Sequence, residues 1–186
     1  SDNVYTVAPH SFALSDIVYK NGFENAGVKI NACAGCGATK EEATEAIFKN
    51  LGLSASEFEV GGITIGYKVN TELLEEYEAV TGNEITYGVF AVLADKIGNG
   101  DILDEKGTPA AGVINKEIKS YGINEFNFKL VGFTTEKLMS AKIVMGAYVF
   151  ERTQEGVNVS YIQPNVPQEG ERYYAVSYNG LTGKED

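Results

Sequence analysis

Residues 141–163, "AKIVMGAYVFERTQEGVNVSYIQ", decide the fold, because they read as two β-strands joined by a tight turn. Segments 141–153 and 157–163 are rich in the β-branched and aromatic residues that favour strands. The connecting "QEGVN" (154–158) contains a glycine and is typical of a β-hairpin turn. This stretch therefore predicts an antiparallel sheet.

The rest of the chain repeats this pattern. Further segments that read as strands cover residues 61–69, 84–94, 113–121, 125–133 and 172–179. Strands that recur at this spacing with short turns predict an antiparallel β-sandwich. We expect a mainly β protein with two short helices and a small N-terminal cysteine-containing ribbon. The predicted division is a ribbon at 1–40 and a β-sandwich-like domain at 41–186.

Two segments have helical character. In "TKEEATEAIFKNLG" (39–52) the apolar residues recur at helical spacing, and Thr39 can cap the first turn. In "TELLEEYEAVTG" (71–82) Asn70 can cap the start, and Gly82 can end the helix. Both segments are therefore predicted to be helices.

Charge and composition exclude several classes of function. The 186 residues are 44% hydrophobic and 22% charged, an ordinary globular balance. The formal net charge of −11 repels phosphate backbones and anionic membrane surfaces, and no Lys/Arg cluster offsets it. No apolar run reaches the length of a membrane span. We expect neither nucleic-acid binding nor membrane insertion.

The segment "NACAGCGATKEE" (31–42) contains both cysteines of the chain, Cys33 and Cys36. The pattern Cys-x-x-Cys-Gly is that of a zinc knuckle, in which two thiolates face one ion. A closed zinc site needs four ligands. Only His10 is available as a histidine, so a carboxylate or water would have to be the fourth ligand. A disulfide, a reduced pair without metal and a packed relic of a metal site remain alternatives. A thioredoxin-like redox pair is disfavoured, because the parallel-sheet pattern around such a pair is missing.

Two stretches resemble modules of large secreted surface proteins of anaerobic Gram-positive bacteria. The first has the His-x-aromatic pattern at 10–12, Ala-Gly-Val-Lys at 26–29 and Cys-Ala-Gly-Cys-Gly-Ala-Thr-Lys-Glu-Glu at 33–42. The second, residues 85–150, is similar to a β-rich module of such proteins. The resemblance implies an extracellular or cell-envelope location and assigns no catalytic residue. It also implies a third cysteine in the repeat, at the position that Phe23 occupies here.

Two weaker candidate sites lie in the C-terminal part. The oxygen-rich loop with Asp95, Asn99, Asp101 and Asp104 could hold calcium, although its spacing does not match an EF-hand and a solvated turn is the simpler reading. Separately, exposed tyrosines can stack on sugar rings, and the candidates are Tyr173, Tyr174 and Tyr178. The alternative for these tyrosines is the rim of a β core.

Three hypotheses for function follow. The first is a non-catalytic surface or adhesion-type module of a secreted protein, with a binding or spacer role. Its partners would be other domains of the parent protein, or a host or cell-wall glycan or protein. The second is a carbohydrate-binding module. The third is a small hydrolase, although no nucleophile-elbow or His-Glu-x-x-His motif is present.

Overall fold

The computed structural model describes residues 10–55, 63–119, 125–130 and 140–177; for residues 55 and 126–130 it describes the backbone only. The strands are β1 (Phe12–Val18), β2 (Gly27–Cys33), β3 (Thr39–Thr44), β4 (Phe48–Ala55), β5 (Ile63–Val69), β6 (Glu84–Leu93), β7 (Ile114–Glu117), β8 (Glu125–Leu130), β9 (Lys142–Thr153), β10 (Gly156–Ile162) and β11 (Ala175–Ser177). The helices are α1 (Thr71–Thr81) and α2 (Ala94–Ile97). Neither helix in these ranges has the length and apolar character required to cross a bilayer.

The strands form three antiparallel sheets, which confirms the predicted mainly β class. Their orders are β1-β2-β3, β4-β5-β8 and β10-β9-β6-β7, and β11 also pairs with β9. The predicted hairpin is β9-β10, in which Gly156 lies opposite Thr153.

Two of the sheets pack face to face as a sandwich, because one set of alternate side chains from each sheet points to a shared interior. The core between them includes Ile63, Ile65, Tyr67 and Val69 of β5, Ile85, Tyr87 and Val89 of β6, and Ile143, Met145, Ala147 and Val149 of β9. The phenol of Tyr67 donates a hydrogen bond of 2.7 Å from within this core to the carbonyl of Ile162 on β10. The period of two along each strand thus places one apolar face in the interior.

The opposite face of β6 and β9 is buried as well. Phe90 and Val144 belong to a second apolar cluster, which is covered by the segment after β6. That segment includes the oxygen-rich loop described in the sequence analysis, yet Ile102 and Leu103 are buried there. This segment therefore covers the outer face of the sheet, and α2 lies at its start.

Helix α1 confirms its predicted start and end. The side chain of Asn70 accepts a hydrogen bond from the N–H of Leu73 at 3.1 Å. Gly82 has φ 73°, a left-handed conformation that glycine adopts at low cost, and its N–H donates to the carbonyl of Glu78.

The helix predicted over residues 39–52 is wrong, because this segment forms β3 and β4. Strand β3 pairs with β2, and β4 pairs with β5. Between them the N–H groups of Ile47 and Phe48 both donate to the carbonyl of Phe23, at 3.0 Å each. Pairing with distant strands outweighs the local helical periodicity. The second short helix of the fold is α2 instead.

The N-terminal ribbon is the sheet β1-β2-β3, and it is joined to the sandwich through α1. Phe23 packs edge-on against Tyr77 of α1 with ring centroids 5.4 Å apart, and Ile17 is buried in the same core. The last strand of this sheet, β3, ends at Thr44.

Candidate metal centre

The two cysteines lie at the turn that connects β2 to β3. Cys33 is the last residue of β2, and its N–H donates to the carbonyl of Ala38 at 2.8 Å. The N–H of Gly37 donates back to the carbonyl of Cys33 at 2.8 Å, and Gly37 has φ 75°. A left-handed glycine directly after the second cysteine closes the turn tightly, as a knuckle requires.

His10 joins the cysteines from the neighbouring strand. It precedes β1, in which Phe12 lies directly opposite Cys33. The imidazole Nδ1 of His10 is 3.2 Å from the sulfur of Cys36. One ligand atom from each of His10, Cys33 and Cys36 lies within 4.8 Å of the other two. Strand pairing therefore brings together three residues that are up to 26 positions apart in sequence.

The surroundings of this group are partly apolar and positively charged. The ring of His10 packs on that of Phe12 at a centroid distance of 5.6 Å. The ammonium of Lys40 lies 4.2 Å from the centroid of the Phe12 ring. Cys33 is buried, whereas His10 and Cys36 are exposed. The sequence analysis did not identify Phe12 and Lys40 as neighbours of the site.

Hydrogen bonding favours the thiolate form of Cys33. The side chain of His10 is the largest cause, followed by the backbone N–H groups of Cys36, Gly35 and Ser11, and together they lower the pKa of Cys33 to about 6. A thiolate is the form in which cysteine binds a metal.

These three side chains form a group that can bind a metal ion. Two thiolates and an imidazole are the donors preferred by borderline and soft metals. In the described part of the chain no carboxylate joins the group as a fourth donor. Because Cys36 is followed by a strand and not by a helix, the helix N-terminus that activates thioredoxin-like thiols is missing here.

Phe23 does not lie beside the cysteines. It precedes β2, whereas Cys33 ends it, and six residues of strand rise separate Gly27 from Cys33 by about 20 Å. The ring of Phe23 fills the core next to α1. The position implied by the resemblance for a third cysteine is therefore a packing position in this fold.

The oxygen-rich loop is held together by its own hydrogen bonds. The carboxylate of Asp104 accepts from the N–H groups of Lys106 and Thr108 at 2.9 and 2.8 Å. Asp101 pairs with the guanidinium of Arg172 at 2.5 Å, and the side-chain oxygen of Asn99 accepts from the N–H of Arg172. Asp95 is exposed on α2. Within the described ranges these side chains do not converge as a group of metal ligands.

The tyrosines near the C-terminus are divided between the two sides of the sheet. Tyr173 is 4% exposed in the second cluster, and its hydroxyl donates to the carbonyl of Gly100 at 2.6 Å. Tyr174 is half-buried on the side of the main core. Tyr178 lies outside the described residues. The ring of Tyr173 thus packs within the protein and does not present an open face to a sugar.

Comparisons with family models, with curated proteins and with solved structures gave no match for this chain.

Proposed function

We propose that this chain is a non-catalytic module of a secreted or cell-surface protein, in which a zinc ion bound by His10, Cys33 and Cys36 closes the end of the N-terminal ribbon. The observation that carries the proposal is the convergence of these three side chains. The rest of the chain would present a binding surface or act as a spacer between other domains.

Zinc is the metal that suits these donors. It binds cysteine thiolates and histidine nitrogens, and the spacing of two residues between the cysteines is common in zinc knuckles. Calcium and magnesium require oxygen ligands, which this group lacks within the described ranges. The bound ion would supply three strong bonds between segments that contribute little apolar packing.

The need for such bonds follows from the burial pattern of the ribbon. Its buried apolar residues Ile17 and Phe23 belong to the core next to α1. At the opposite end Cys33 is buried, but every residue from 34 to 43 is exposed. A zinc ion that joins the start of β1 to the β2-β3 turn would stabilise this end, because metal binding free energy adds to folding free energy.

The proposal of a surface module is supported by charge and by the resemblance of the knuckle segment. The net charge of −11 disfavours nucleic acids and anionic membranes as partners. The partners proposed are other domains of the parent protein, or glycans and proteins of the host or cell wall.

Native mass spectrometry of the chain purified without added metal or reductant tests the zinc site. We expect one bound zinc ion, which is lost in Cys36→Ser and retained in Asp104→Ala, a control in the acidic loop. A mass lower by two hydrogens would indicate a disulfide, and the plain reduced mass would indicate a relic. In either case the protein would then be reduced and mixed with excess zinc. Failure to bind zinc under these conditions would overturn the proposal.

Carbohydrate binding is a second candidate, favoured by one cleft. This cleft has a volume of about 480 Å³ and is lined by residues that include Tyr161, Asn165 and Arg172. The guanidinium of Arg172 lies 5.8 Å from the Tyr161 ring. An aromatic edge next to amide and guanidinium donors suits a sugar. A glycan panel should show binding that Arg172→Ala abolishes and Arg152→Ala, on β9, retains; a blank panel would exclude this candidate.

A further inference from the structure

We infer that the zinc ion of the knuckle has an open fourth coordination position and that this position binds an exogenous thiolate. The inference rests on the zinc site proposed above and names the class of ligand that completes it. The thiolate would come from a small thiol or from a cysteine of a partner protein.

The knuckle offers one donor fewer than a closed zinc site needs. His10, Cys33 and Cys36 provide three ligand atoms, and no other His, Cys, Asp or Glu of the described residues joins them. A zinc ion with three protein ligands retains a water molecule in its fourth position. Such a water exchanges with solution ligands wherever it is accessible.

The open side of the knuckle is accessible from solvent. Both His10 and Cys36 are exposed. A methyl group built on Gly35 would have only the sulfur of Cys33 within 4 Å, at 3.9 Å, and one built on Gly37 would have no described atom within 4 Å. The outer side of the knuckle is therefore uncovered by the described residues, and a ligand can approach the ion from solvent.

The charge around the knuckle favours an anionic fourth ligand. Zinc with two thiolates and a neutral imidazole has no net charge, so an anionic fourth ligand makes the site negative. Lys40 pairs with Asn31 across β2-β3, and Phe12 pairs with Cys33 across β1-β2. Alternation along β2 puts all four on one face of the ribbon. The ammonium of Lys40 can thus offset the negative charge.

A thiolate fits this position better than a carboxylate. Three cysteines and one histidine are a common zinc ligand set, and thiolate is the softer donor. Binding replaces the zinc-bound water, and the incoming thiol loses its proton to solvent. No electron is transferred in this exchange.

Cobalt substitution tests the inference, because Co²⁺ reports its ligands in its absorption spectrum. The Co²⁺ form is titrated anaerobically with 2-mercaptoethanol and with a capped Gly-Cys-Gly peptide, and ethylene glycol and capped Gly-Ser-Gly serve as controls. We expect a saturable rise of the thiolate-to-cobalt charge-transfer band with both thiols and no rise with the controls. Tighter binding of the peptide would favour a protein cysteine as the source, and tighter binding of 2-mercaptoethanol a small thiol.

The failures of the two proposals are distinguishable. If no tetrahedral Co²⁺ spectrum forms at all, the metal site itself is wrong and this inference falls with it. If the spectrum forms but the thiols leave it unchanged, the zinc site stands and the open position is overturned. Asp2→Asn should leave the thiol-free spectrum unchanged; a changed spectrum would show that the chain supplies its own fourth ligand.

Two lysine variants test the charge argument. Lys40→Ala should weaken thiolate binding by roughly threefold, as the removal of one exposed charge near an anion does. Lys49→Ala, on β4, should leave the affinity unchanged. Equal effects of the two variants on thiolate affinity would show that Lys40 does not contribute to the site.

Discussion

Strand β9 and the knuckle end of the ribbon both belong to antiparallel sheets, but their side chains differ sharply in burial. In β9 every residue from Ile143 to Glu151 is buried. In the ribbon every residue from 34 to 43 is exposed. The first region has apolar clusters on both faces, whereas the second brings together His10, Cys33 and Cys36, a group that could hold a metal ion. The contrast separates a region with a large apolar core from a region whose exposed end is, under the proposal above, stabilised by a bound ion.

The largest expected effect compares an aromatic residue of the ribbon with Phe90 of β6, the strand that pairs with β9. Phe90 has no exposed surface and packs edge-on against Tyr161 at 5.5 Å, so Phe90→Ala should lower the free energy of unfolding by about 3–5 kcal/mol. Phe12→Ala in the ribbon should lower it by about 1 kcal/mol or less. Urea denaturation measures both values, and equal losses would contradict the comparison.

Glycine substitutions give the next largest effect. A methyl group at Gly88 of β6 would clash with the carbonyl of Lys116 and with the phenol of Tyr148. Gly88→Ala should therefore lower the free energy of unfolding by about 1–3 kcal/mol. At Gly35 the nearest atom is 3.9 Å away, so Gly35→Ala should have almost no effect. A thermal melt of each variant checks this difference, and a destabilised Gly35→Ala would mean that the knuckle is more tightly packed than its exposure indicates.

Metal removal should affect the ribbon and not the sandwich. Addition of a chelator should increase hydrogen exchange at the turn amides of Cys33 and Gly37, since their hydrogen bonds lie at the end of the ribbon where zinc is proposed to bind. The amides of β9 should keep their protection. Hydrogen-exchange mass spectrometry with zinc and with chelator reads both regions in one sample. Uniform loss of protection would show that the ion stabilises the whole fold.

The smallest effect is a pH dependence of the metal-free ribbon. The pKa of Cys33 falls from its ordinary value near 8.5 to about 6 in the folded chain. A lowered pKa contributes stability that is present above the ordinary value and is lost as the pH falls through about 6. The thiolate is the form that reacts with alkylating reagents. In the metal-free Cys36→Ser variant, the rate of Cys33 alkylation should therefore rise with pH, with a midpoint near pH 6.

Two controls accompany this titration. His10→Ala in the same background should move the midpoint upward, because the histidine side chain is the largest cause of the shift. The unfolded chain should show the ordinary cysteine midpoint of about 8.5. A folded midpoint equal to the unfolded one would show that the hydrogen bonds at Cys33 do not lower its pKa.

Local signals in the sequence were sufficient for α1. Asn70 and Gly82 flank it, and each satisfies backbone groups within one turn of its own position. The same kind of signal failed at residues 39–52, where exposed polar residues fit either a helix or an edge strand. The carbonyl of Phe23 and the pairing with β2 and β5 decided for strands.

The three side chains of the candidate site were predicted as a group. Their neighbours were not predicted. The chain has only two cysteines and one histidine, so residue type alone identified the group. Lys40 was missed because it was assigned to a helix, and its proximity to Phe12 depends on strand pairing. The buried Ile102 and Leu103 were missed as well, although an apolar pair within a polar loop is a visible signal.

The sequence alone determined the antiparallel β class, the hairpin at Gly156, helix α1 and the three residues of the group that could hold a metal ion. Each of these depends on side-chain periodicity, on turn chemistry or on residue type, which act over a few positions. Tertiary structure alone decided that residues 39–44 and 48–55 are strands, that Phe23 lies in the core, and that His10 lies beside the cysteines. These outcomes depend on contacts between distant segments, and short-range patterns do not specify which partner a strand or side chain will find.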